Sequence, residues 1–200
     1  ATFTEFEGHT MPLQYTSIKD EHLTVRHAVG MFDVSHMGNL YVRGSDAFEL
    51  VSRLTTCNPE KVPVGTGFYT AILQDDGTII DDEVFLHTGS EEYLFVPNAG
   101  RHDAVESWFE KQAGDMDVTL ENRSSRDAIL AVQGPQSMAV LSQVVDAPLD
   151  DLKLFACTEV DWGTRCILSR TGYTADRVFE LYVTPGDAGR ALFRELLTAG

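Results

Sequence analysis

The stretch Gly67-Phe68-Tyr69-Thr70-Ala71-Ile72-Leu73-Gln74-Asp75-Asp76-Gly77-Thr78-Ile79-Ile80-Asp81-Asp82-Glu83-Val84-Phe85 decides the fold. Two runs rich in β-branched and aromatic residues flank Asp75-Asp76-Gly77. Glycine accepts positive φ without steric cost, so this tripeptide reads as a hairpin turn. The expected strands are Gly67 to Gln74 and Thr78 to Thr88, with a third from Tyr93 to Asn98. Residues 102–113 then carry helical spacing, with Ala104, Val105, Trp108 and Phe109 expected inward and Gly114 as the stop. Val118 to Glu121 reads as another strand. A β-β-β-α-β run of this kind predicts an α+β unit with an antiparallel sheet.

Outward from this centre, residues 19–29 read as a helix stopped at Gly30, and Asn39 to Arg43 as a short strand. Ser45 is the expected cap of a helix from Asp46 to Thr55, with Phe48, Val51 and Leu54 at helical spacing. Further on come a strand from Ala128 to Val132 and a helix opened by Gly134-Pro135 and running to about Val145. A hairpin over 159–170 and a strand from Phe179 to Thr184 follow. Residues 187–198 read as the final helix, with Ala191, Leu192, Leu196 and Leu197 as its apolar face. No linker separates the two sections, which is compatible with one domain inserted into the other.

Three features could carry chemistry. Ile79-Ile80-Asp81-Asp82-Glu83-Val84-Phe85 puts three acids inside an apolar strand, and alternation sends Asp81 and Asp82 to opposite faces. A carboxylate that faces the core must be paired or have a perturbed pKa. The alternative is a solvated hairpin edge. Asp33-Val34-Ser35-His36-Met37-Gly38 reads as a loop between a helix and a strand. Its Ser, His and Asp have no triad logic, because a triad is assembled in space, and no G-x-S-x-G elbow occurs. Arg170-Thr171-Gly172-Tyr173-Thr174 ends a strand in a turn whose aromatic can lie flat against a ring. Glu180 follows between Phe179 and Leu181, where a carboxylate could accept two N–H bonds from an amidine-like ring edge. A strand glutamate turned to water is the plainer reading.

The net charge of −16 argues against a nucleic-acid backbone as partner, since phosphates need Lys and Arg. Only four of the 15 basic residues are Lys, and the acid is spread along the chain. This pattern suits a salt-rich cytoplasm, where ions screen self-repulsion. Cys57, Cys157 and Cys166 are odd in number and show no C-x-x-C spacing, so they read as small buried thiols with no metal site. No run of about 18 apolar residues suggests a membrane helix, and no signal peptide is visible, so a cytoplasmic location is expected. No phosphate-cradling glycine loop is present.

Several segments together resemble the glycine-cleavage T-protein family. Gly30-Met31-Phe32-Asp33-Val34-Ser35-His36-Met37-Gly38 reads like that family's G-[MI]-F-D-V-S-H-M-G. Met11-Pro12, Glu21 with Val29, Ile80-Asp81-Asp82, Val96 with Asn98-Ala99, Val132-Gln133-Gly134-Pro135 and Arg170-Thr171-Gly172-Tyr173-Thr174 also match, in family order. The resemblance implies antiparallel sheets with flanking helices: a discontinuous folate-binding domain, 1–40 plus 126–200, with a ferredoxin-like domain inserted over 41–125. It implies an aminomethyltransferase that moves a methylene group from the lipoyl arm of H-protein to tetrahydrofolate, giving 5,10-methylene-tetrahydrofolate and ammonia. The alternative readings are a T-protein-like folate-dependent demethylase or the folate module of a sarcosine- or dimethylglycine-type oxidase, and a non-catalytic folate-binding paralogue.

By position, Asp82 matches the family's essential aspartate. Glu180 matches the glutamate that holds the pterin edge, and Tyr69, Asn98, Tyr173 and Met37 match pocket positions. Three departures stand out. The family's T-G-E-D-G-[FY]-E is here Thr174-Ala175-Asp176-Arg177-Val178-Phe179-Glu180, which predicts a different turn. Leu86 stands where many members have a tyrosine, and His9 replaces a common tryptophan. The family also begins earlier and continues into a C-terminal barrel domain, so the 200 residues are expected to be a fragment.

Overall fold

The computed structural model describes all 200 residues, which form two compact units. Unit 1 comprises residues 1–34, 128–154 and 159–200; unit 2 comprises 35–127 and 155–158. Both are built on antiparallel sheet, and the mixed α and β character expected from the sequence is observed. No helix is long and apolar enough to cross a membrane.

Unit 1 opens with a hairpin, β1 (Thr2–Phe6) and β2 (His9–Gln14), followed by helix α1 (Ile18–His27). Ser17 caps α1 by accepting the Asp20 N–H, and Asp20 and Glu21 sit in the first turn, where negative charge suits the helix dipole. Strand β3 is Gly30–Asp33; Gly30 does not merely stop a helix but starts a strand. The reason is tertiary: β3 pairs with β9 (Ala128–Gln133), with Gly30 opposite Gln133. The sheet order is β10-β11-β12-β9-β3, with β10 at Cys157–Asp161, β11 at Arg165–Ser169 and β12 at Val178–Thr184. Every residue of β9, an interior strand, is buried.

Helix α5 (Gly186–Ala199) covers one face of this sheet. Gly189 lies against Ala128, where an added Cβ would come within 2.4 Å of the Ala128 Cβ. Leu192 and Leu196 are the buried apolar residues of α5, while Ala191 and Leu197 face solvent, contrary to the expected stripe. Helix α4 is only Ser137–Leu141, because the chain leaves it through successive turns well before Val145.

Unit 2 contains β4 (Leu40–Arg43), α2 (Ala47–Leu54), β5 (Thr66–Leu73), β6 (Ile79–Gly89), β7 (Glu92–Val96), α3 (His102–Ala113) and β8 (Thr119–Asn122). The strand order is β5-β6-β7-β4-β8. Gly77 has φ 83° in the β5–β6 turn, the left-handed conformation its sequence foretold. Helices α2 and α3 bury Ala47, Leu50, Val51, Leu54, Val105 and Phe109 in one core with Ile72, Phe85 and Phe95. Phe48 and Ala104 are exposed and Trp108 is half-buried, so the apolar stripes are narrower than their spacing suggested. Ser45 does not cap α2: its hydroxyl donates to Asp117, and Asp46 occupies the cap position without a side-chain cap bond.

Candidate functional site

In unit 2 the site residues grow out of the β5–β6 hairpin. Ile72 pairs with Asp81 and Thr70 with Glu83, so these four share the face that carries the helix-covered core. Asp82 points the other way. Asp81, 4% exposed, is fully engaged: Oδ2 accepts the Asn98 backbone N–H at 2.9 Å, and Oδ1 accepts from Asn98 Nδ2 at 2.8 Å. Asn98 Nδ2 also donates to the Asp82 carbonyl at 2.8 Å. Both amide protons of Asn98 are thereby spent on the acidic strand, and its Oδ1 is the atom left to meet a ligand.

Asp82 is exposed, and its Oδ2 accepts a short hydrogen bond from the Tyr69 hydroxyl on the neighbouring strand. That bond fixes the carboxylate while leaving it open to solvent. Met37 is half-buried in the loop before β4. Its neighbour Gly38 donates to the Pro97 carbonyl at 2.7 Å, tying the Met37 loop to the segment that carries Asn98. Tyr69, Asp82 and Asn98 are therefore brought together, with the Met37 loop anchored beside them. Leu86 is fully buried and its Cδ2 packs against Gly67, where a Cβ would come within 2.6 Å.

Glu83 is the surprise of this strand. It is 3% exposed, and neither carboxylate oxygen has a hydrogen-bond partner. Burial, and then the nearby Asp81 and Asp82, push its carboxyl well above the usual range. Alternation places it on the core side; only the structure shows that no donor meets it there.

In unit 1, Glu180 sits in β12 opposite Ala131 of β9 and Ser169 of β11. Val183 packs beside Gly189 of α5, so alternation puts Glu180 and Tyr182 on the other face. Glu180 Oε2 accepts two hydroxyls: a short bond from Thr171 and one of 3.0 Å from Tyr182. Burial pushes this carboxyl up, and the two hydroxyls pull it back. Tyr182 is buried and its phenol is pushed well above its usual range, by burial and then by the Glu180 charge. Thr171 lies in the Arg170–Thr174 motif and Tyr182 stands two residues from Glu180 on one strand face; neither is among the site residues expected from the sequence. Period-two alternation was the available signal.

The turn before Glu180 presents Tyr173 with its side chain wholly exposed. The Tyr173 N–H donates to Gln133 Oε1 at 3.4 Å, and Gly172 fits between Val178 and Gln133, where a Cβ would clash with both. Two of the quoted motifs thus lock onto each other. Ala175 has φ 56°, so the left-handed backbone that glycine favours persists without the glycine. Arg26 of α1 donates to the Thr174 carbonyl at 2.9 Å and lies 3.9 Å from Asp176.

The cysteines are all free. Burial pushes the thiols of Cys157 and Cys166 up to about 12, which makes them poor nucleophiles.

Comparison with known proteins gives a consistent picture. Residues 1–200 match the family described as the GCVT N-terminal domain. An aminomethyltransferase of Phocaeicola vulgatus is 40% identical over 100% of this chain and 55% of its own length. An aminomethyltransferase of Bacillus subtilis is 39% identical over 98% of this chain and 54% of its own. The crystal structure of glycine cleavage system aminomethyltransferase T from Bartonella henselae superposes with a TM-score of 0.91 at 31% identity, covering 98% of this chain and 53% of that one. A heterotetrameric sarcosine oxidase from Corynebacterium shares the fold, with a TM-score of 0.65 at 16% identity over 90% of this chain and 89% of that one. The chain spans about half the length of the curated relatives it matches.

Proposed function

The chain belongs to the family of GCVT N-terminal domains, and from that premise we propose that it is the folate-binding part of a tetrahydrofolate-dependent aminomethyltransferase. The methylene group comes from the aminomethyl-lipoyl arm of H-protein, whose C–S bond breaks; the products are 5,10-methylene-tetrahydrofolate, ammonia and the dihydrolipoyl arm with its thiol restored. The observation that carries this reading is Asp82, an open carboxylate held by the Tyr69 hydroxyl between the buried Asp81 and Glu83. A fixed negative charge stabilises the positive charge that develops as an amine leaves a methylene carbon. Asp82 is the catalytic residue in this reading. Glu180, through its open oxygen, and the exposed ring of Tyr173 suit the polar edge and flat face of a pterin. Asn98 Oδ1, Tyr69 and Met37, all of unit 2, are assigned to folate contact in this reading.

The acidic excess supports a salt-rich cytoplasm as the working environment, with counter-ions screening a net charge of −16. The test of function is direct. The intact protein, given tetrahydrofolate and aminomethyl-loaded H-protein, releases ammonia in step with methylene-tetrahydrofolate. Folate binding without ammonia release would contradict the aminomethyltransferase reading.

A further inference from the structure

Glu180 holds its two oxygens in different states. Oε2 takes the hydroxyls of Thr171 and Tyr182. Neither of these bonds reaches Oε1, and the Glu180 residue is half-buried rather than sealed in the core. A carboxylate oxygen accepts about two hydrogen bonds, which Oε2 already has. The donors are themselves constrained. Thr171 is 3% exposed, and its one hydroxyl proton goes to Glu180, so the buried Ser169 hydroxyl, 2.5 Å from Thr171 Oγ1, must donate to Thr171. Tyr182 is buried within the sheet. Glu180 makes no ion pair; its strand neighbours Ala131 and Ser169 are uncharged, and Tyr182 is the titratable group that faces it.

We propose that Thr171 and Tyr182 are positioning residues for ligand binding: they saturate Oε2 of Glu180 and turn Oε1 outward as the single acceptor offered to a ring N–H. This rests on the folate reading above and deepens it. A two-pronged amidine edge meets one open oxygen rather than two, so recognition depends on which way the carboxylate is turned and on its being ionised. The two hydroxyls supply both conditions, since hydrogen bonds to the charged form offset the upward push of burial.

The test pairs a ligand-free with a ligand-dependent readout on the intact protein. A carbon-13 carboxyl titration follows Glu180 directly, and tetrahydrofolate, kept reduced, is titrated calorimetrically across pH. Tyr182→Phe and Thr171→Val are expected to move the Glu180 titration to higher pH. They should also weaken tetrahydrofolate about five- to tenfold near neutrality, with recovery at higher pH, in line with the loss of a hydrogen bond to a charged group. Thr171→Ser keeps the hydroxyl and should behave as the parent. If Tyr182→Phe fails to fold, as judged by circular dichroism, the Thr171→Val and Thr171→Ser pair carries the test alone. An unmoved Glu180 titration with an unchanged affinity profile in these variants would overturn the proposal. Unchanged affinity in Glu180→Gln would instead sink the assignment of Glu180 to the folate site, while the carboxyl titration still reports what the two hydroxyls do.

Discussion

Glu180 and Glu83 are two glutamates set into five-stranded antiparallel sheets, and they differ in the hydrogen-bond donors that meet them. Glu180 is met by two hydroxyls on one oxygen and keeps the other open. Glu83 is met by none. Burial raises both carboxyls, but only at Glu180 do hydrogen bonds oppose it. A carboxylate that is partnered on one side and open on the other is arranged to receive something. A carboxyl buried without any donor is favoured as the neutral acid and weakens the fold whenever it ionises. The same residue type in the same kind of element thus has opposite consequences, decided by whether a neighbouring side chain donates to it.

The contrast can be broken or sharpened by substitution. Of the two glutamates, the one whose loss ligand binding should feel is Glu180. Glu180→Gln should weaken tetrahydrofolate binding by about tenfold or more, the scale of a hydrogen bond to a charged group, with little change in the unfolding midpoint. At Glu83 the expectation is reversed. Glu83→Leu should leave folate affinity alone and raise the unfolding free energy in urea by about 2 kcal/mol, the scale of an unsatisfied buried polar group. Glu83→Gln, which keeps an unpartnered polar group, should gain less. Destabilisation by Glu83→Leu would mean that Glu83 has a stabilising role its surroundings do not show.

The same pair predicts a pH dependence. The folded-state pKa of Glu83 lies above its ordinary value of 4.5. Its contribution to stability is therefore complete below about 4.5 and is lost as pH rises from there through the folded-state value. The parent protein should lose stability over that window. Glu83→Leu should remove the larger part of the slope, leaving the smaller part due to Glu180. Equal slopes in parent and variant would contradict the assignment. The smallest expected effect lies in the turn before Glu180. Ala175→Gly relieves a left-handed alanine, worth about 1 kcal/mol after the entropy of the freer unfolded chain is counted, and should raise the melting midpoint by about 2–4 °C.

Much of this architecture was legible in the sequence. The Asp75-Asp76-Gly77 turn and the runs beside it gave the central hairpin, and alternation assigned Asp81 and Asp82 to opposite faces, as observed. What could not be read depends on partners far along the chain. Gly30 reads as a helix stop until β9, about a hundred residues later, pairs with Gly30–Asp33. The hairpin of β1 and β2 escaped notice because its apolar residues, such as Phe3, Phe6 and Leu13, are exposed and mark no buried face. Ser45 had a better partner than its helix in Asp117. Sequence likewise suggested that one strand acid would be buried, but not that Asn98 would hold Asp81 while Glu83 went without a donor.

Asp82 bears the central claim, that this chain positions a carboxylate for methylene transfer to tetrahydrofolate. The decisive measurement is ammonia release from aminomethyl-loaded H-protein by the parent and by Asp82→Asn, each saturated with tetrahydrofolate. The account predicts a loss of turnover of about a hundredfold or more, the scale of one fixed charge-stabilising group, with folate affinity changed far less. Turnover by Asp82→Asn equal to that of the parent would contradict it.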